Sequence, residues 1–99
     1  MLFAISYTTR PNVTEESLGR SLKLFANWEP PAGVVFKAHY ATADGNGGLA
    51  LVETDSAAAA FEVCSAWASF FEFKTAPLVE LEQAMQIRAN ILKWRDSVK

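Results

Sequence analysis

Residues 43–55, Ala43-Asp44-Gly45-Asn46-Gly47-Gly48-Leu49-Ala50-Leu51-Val52-Glu53-Thr54-Asp55, hold the strongest turn signal in the chain, then an apolar strand, then a helix start. Gly45-Asn46-Gly47 reads as a three-residue hairpin loop, a type I turn closed by a glycine in the left-handed region. Asp44 then sits opposite Gly48, Tyr40 opposite Val52, and His39 opposite Glu53 on the other face. A one-residue slip would throw Val52 onto a mixed face, so the apolar pattern favours this register.

The strand entering the turn is predicted over 34–43, with Val34, Phe36, Ala38 and Tyr40 on one side and Val35, Lys37, His39 and Ala41 on the other. Before it, residues 2–8 read as a first strand that is apolar on both faces. A helix is predicted from Thr14. Its hydroxyl suits an N-cap, Glu15 and Glu16 suit the positive end of the helix dipole, and Val13 and Leu18 occupy the staple positions. Leu18, Leu22, Phe25 and Trp28 form its expected buried stripe, and Pro30-Pro31 ends it.

Beyond the turn, Thr54 or Asp55 is the expected cap of a second helix with Ala57, Ala60, Phe61, Cys64 and Trp67 on its apolar face. Residues 70–75 alternate as a half-buried strand, Pro77 marks its end or an edge, and residues 78–81 can continue it irregularly. Residues 82–98 read as a long helix in which Ala84, Ile87, Ile91, Trp94 and Val98 repeat at three and four. That narrow seam suits either docking on the chain's own sheet or a contact between subunits.

The order is β-α-β-β-α-β plus a terminal helix. Right-handed crossovers around a central hairpin give an α+β, ferredoxin-like fold with a four-stranded antiparallel sheet and helices on one face. Residues 1–99 form a single domain, 1–81 as the ferredoxin-like core and 82–98 as the C-terminal helix. The other face needs a cover, which the terminal helix or a second copy of the chain would supply.

Half of the 99 residues are apolar and a fifth are charged, as in a folded globule. A chain this short buries only about 60–65% of its unfolded surface, so association would help it. The net charge of −2, with acids and bases interleaved, argues against nucleic acid or an anionic membrane as partner. The single cysteine, Cys64, fits a reducing compartment, and the N-terminal residues lack the basic start of a signal peptide. The expected location is cytoplasmic.

His39 is the only histidine, hence the only side chain that titrates near neutrality unaided. As a general base it needs an orienting partner, and the expected register offers Glu53. Tyr40, Lys37 and Ser6 are candidate ligand contacts, with Lys37 suited to an anion. Against these stand plainer readings: a stabilising cross-strand pair for His39–Glu53 and a solvated strand charge for Lys37. Cys64, on an apolar helix face, reads as a small buried hydrophobe. One His and one Cys give no metal-ligand spacing, and no cofactor motif is present.

Met1-Leu2-Phe3, Ala43-Asp44-Gly45-Asn46-Gly47-Gly48, Leu51-Val52-Glu53-Thr54-Asp55, a Trp in the second helix and Phe71-Glu72-Phe73 together resemble the domain of unknown function 3303 family. The resemblance spans about residues 1–81. It implies a ferredoxin-like protomer of the dimeric α+β barrel type and a homodimer whose sheets face each other. It carries no established activity and no catalytic residues to transfer. The expected function is that of a non-enzymatic small homodimer, which either binds a small apolar or anionic molecule or serves as an interaction module. The alternatives are a cofactor-independent monooxygenase or isomerase centred on His39, and a structural assembly protein joined through the C-terminal helix.

Overall fold

A computed structural model describes residues 1–99. The elements are β1 (Leu2–Thr9), α1 (Glu15–Ala26), β2 (Val35–Ala41), β3 (Gly47–Glu53), α2 (Ala57–Ser65), β4 (Phe71–Pro77) and α3 (Leu81–Ser97). The four strands form one antiparallel sheet in the order β2-β3-β1-β4. This is the expected α+β, ferredoxin-like arrangement: β1 is central and the hairpin partner β3 lies between β1 and β2.

Thr14 caps α1 as its hydroxyl invites, accepting from the Ser17 amide at 3.2 Å. The cap of α2 is Ser56, which accepts from the Ala59 amide at 3.1 Å. Neither expected cap serves: Thr54 is buried and accepts from the Ser56 amide, and Asp55 accepts from the Met1 amino group at 3.2 Å. Strand β4 runs on through Pro77, opposite Phe3; on an outer strand the missing amide costs little.

The central hairpin departs from the expected register. Its loop has four residues, Ala43 to Asn46, closed by the Thr42 amide on the Gly47 carbonyl at 2.9 Å. Asp44 Oδ1 shapes it, accepting from the Thr42 hydroxyl at 2.6 Å and the Asn46 amide at 2.9 Å. Gly45, at φ 74°, supplies the left-handed residue. Tyr40 therefore pairs with Leu49, and His39 with Ala50 rather than Glu53. The offset from the expected pairing is odd, so His39 and Tyr40 exchange faces. A β-bulge at Lys37, between the Phe36–Val52 and Ala38–Leu51 pairs, then brings Phe36 onto the same face as His39.

The core lies between that face and the helices: Phe3, Ile5, Val34, Ala50, Val52, Ala60, Val63 and Trp67 are buried. In α1 the residue turned fully inward is Ser21, not Leu22, which is 70% exposed. The buried Trp67 indole explains the choice, because its Nε1–H donates to the Ser21 carbonyl at 3.2 Å and draws that turn inward. Phe61, expected on the apolar face of α2, points outward.

The opposite face, with Ala4, Ser6, Val35, Ala38, Tyr40, Leu49 and Leu51, has no layer over it. Helix α3 does not fold back to provide one. None of its residues is buried, and the molecule measures 61 × 31 × 21 Å with a radius of gyration of 17.7 Å. A compact chain of this length has a radius of about 13 Å. No helix is long and apolar enough to cross a membrane.

Candidate functional site

A pocket of about 350 Å³ opens between α1, the end of α2 and the sheet. Thirteen of its fifteen lining residues are hydrophobic. Aromatic rings dominate the wall. Trp28 and Trp67 meet edge to face with centroids 4.9 Å apart, Phe25 stacks on Trp28 at 6.3 Å, and Tyr7 meets Phe71 at 5.1 Å. Leu22 and Phe25, both exposed, flank the mouth.

One polar pair interrupts this wall. The Tyr7 hydroxyl lies 2.8 Å from His39 Nε2. The two residues stand on β1 and β2, with β3 between them, and reach each other across Gly48 and Ala50. Gly48 is what permits the approach, since a Cβ there would overlap the Tyr7 phenol ring. The rings of Tyr7, Phe25 and Phe36 surround the imidazole, with centroids 5.8, 5.8 and 5.7 Å from it.

This half-dry setting acts on both groups in the direction that keeps them neutral. Loss of hydration lowers the His39 pKa below its ordinary 6.5 and raises that of Tyr7 above its ordinary 10.0. At neutral pH the pair is thus an uncharged imidazole beside an uncharged phenol. With the ring proton on Nδ1, Nε2 accepts from the Tyr7 hydroxyl. Either group can instead turn its hydrogen-bonding capacity toward a guest in the pocket.

Residues 1–92 match the family described as Domain of unknown function, DUF3303. The chain belongs to that family. No curated protein matches it. The DUF3303 family carries no named chemistry, so any functional reading must come from the pocket itself.

Of the five candidates drawn from the sequence, the structure brings His39 into the pocket wall, and Tyr40 contributes beside it. Successive strand residues alternate in direction, so the Tyr40 ring goes to the open face, where it is 66% exposed. Glu53 is remote from His39 in the register and accepts from the Met1 amino group at 2.8 Å. Lys37 sits exposed at the bulge. Ser6 lies on the open face, donating to the Lys74 carbonyl at 3.4 Å. The missed residue is Tyr7. Its signal is the glycine doublet Gly47-Gly48 opening a strand, which marks close approach by a neighbouring group.

The lowered pKa of His39 makes the fold sensitive to acid. The unfolded chain takes up a proton near pH 6.5, while the folded chain resists until lower pH. Stability is therefore full above pH 6.5 and falls as pH drops through the folded pKa. Urea midpoints at pH 7.5, 6.5 and 5.5 should decline in that order, and His39→Gln should flatten the decline. A profile identical in the variant would show that His39 is not the group responsible.

Proposed function

We propose that this DUF3303 protein binds a small, largely apolar molecule carrying one hydroxyl or carbonyl group, with Tyr7 and His39 as the polar end of its site. The observation behind this reading is an aromatic pocket of about 350 Å³ with the neutral Tyr7–His39 pair in its wall, the Ser21 hydroxyl there being already engaged by the Leu18 carbonyl. That volume lies at the lower end of the usual range for small-molecule sites, about 300–1,000 Å³. Aromatic walls offer contact area at little entropic cost, and one polar pair gives orientation.

1-Naphthol and naphthalene are suitable probes, equal in shape and different by one hydroxyl. Calorimetric titration should show 1-naphthol binding about tenfold more tightly, the worth of one net hydrogen bond. Tyr7→Phe together with His39→Phe should abolish that preference while leaving naphthalene binding in place. Equal affinity of the two probes for the unaltered protein would overturn the reading.

A second reading, catalysis by proton transfer, draws on the lowered pKa of His39, which leaves the imidazole unprotonated and able to accept a proton at neutral pH. An isomerase or cofactor-independent oxygenase would use that basicity on the bound molecule. His39-dependent conversion of a bound probe would favour this reading, and recovery of the probe unchanged would favour binding alone.

A further inference from the structure

The molecule exposes far more surface than a chain of its size should. Its accessible area is 7599 Å². The scaling law for folded monomers gives about 5,600 Å² at this mass, an excess of about 2,000 Å². Two features account for it: the bare sheet face and the free α3. On α3, Ile87 and Ile91, one turn apart, are 51% and 49% exposed, and Trp94 is 63% exposed. On the sheet, Val35 is 53% exposed and Leu49 39%.

We infer that α3 is an exchanged arm, laid across the open sheet face of a second copy of this chain, which returns its own α3 in the same way. The area argues for a second copy. Twice the excess is about 4,000 Å², within the range that obligate homodimers bury. The charges agree. Residues 81–99 hold four Lys or Arg against two acids, and residues 1–80 hold five against nine, so a net positive arm meets a net negative body.

The geometry selects among the possible pairings. Sheets meeting face to face would leave both arms in water. Arms pairing with each other would leave both faces bare. Reciprocal exchange covers both surfaces with one repeated contact, and a two-fold axis closes it at two copies. Only Leu78, Val79 and Glu80 separate β4 from α3, and the Leu78 amide is tied to the Leu2 carbonyl at 2.7 Å.

Two experiments test this on the full chain. Light scattering should give twice the chain mass for the unaltered protein and the chain mass for Ile87→Glu/Ile91→Glu. Both positions are exposed in the protomer, so circular dichroism of the variant should still show the folded sheet. The second experiment starts from Cys64→Ala and co-expresses Leu51→Cys with Ile91→Cys under mild oxidation. The 51–91 cross-link between chains should dominate. A monomeric unaltered protein, an unchanged mass for the double variant, or predominance of 51–51 or 91–91 cross-links would each overturn the inference.

Discussion

Trp67→Ala should cost the protein a large share of its stability. The indole is buried, packs edge to face on Trp28 and against Phe25, and donates to the Ser21 carbonyl. It fastens α1 to the turn that follows α2. Its removal leaves a cavity and takes away the bond that ties the Ser21 carbonyl across to it, and truncations of this kind cost about 3–5 kcal/mol. A domain of this size has about 5–15 kcal/mol in all. Chemical denaturation should show the midpoint collapse. Phe61→Ala, at a side chain 74% exposed on α2 just before it, should stay within about 0.5 kcal/mol of the parent. Comparable losses in the two variants would show that Trp67 is not the fastening described.

Gly48→Ala should separate the pocket's chemistry from its shape. The added methyl claims space held by the Tyr7 phenol and crowds the Tyr40 carbonyl, so the ring must swing away from His39 and the main chain of β2 must give slightly. Overpacking of this kind costs about 1–3 kcal/mol, leaving a folded protein. The preference for 1-naphthol over naphthalene should vanish, and the Tyr7 hydroxyl should titrate closer to its ordinary 10.0. Gly47→Ala is expected to be worse for the fold, because every obstructing atom there is main chain of β1 and the overlap with the Tyr7 carbonyl is deeper. An unchanged probe preference in Gly48→Ala would mean that Tyr7 does not orient the guest.

The element order was legible because each boundary has a local chemical mark. Thr14 offers a cap, Pro30-Pro31 stops a helix, and Gly45 supplies the left-handed residue a tight reversal needs. The register was not legible, for an equally local reason. Val52 finds an aromatic partner both in the expected pairing with Tyr40 and in the observed pairing with Phe36, so hydrophobic matching could not choose between them. What chose was the Asp44 turn and the bulge at Lys37, backbone features without an apolar signature. His39 stood out by its chemistry alone. Its neighbour Tyr7 did not, because their meeting depends on the absence of a side chain at Gly48.

The bulge at Lys37 has a further effect on the borders of the sheet. Fibrils grow when a foreign strand finds an uninterrupted row of amides and carbonyls along an outermost strand. On one border that row is broken at Lys37, which also sets a charge there; on the other it ends at Pro77, which has no hydrogen to donate. The same kink that brings Phe36 to the imidazole's side of the sheet thus denies amyloid a template along that rim.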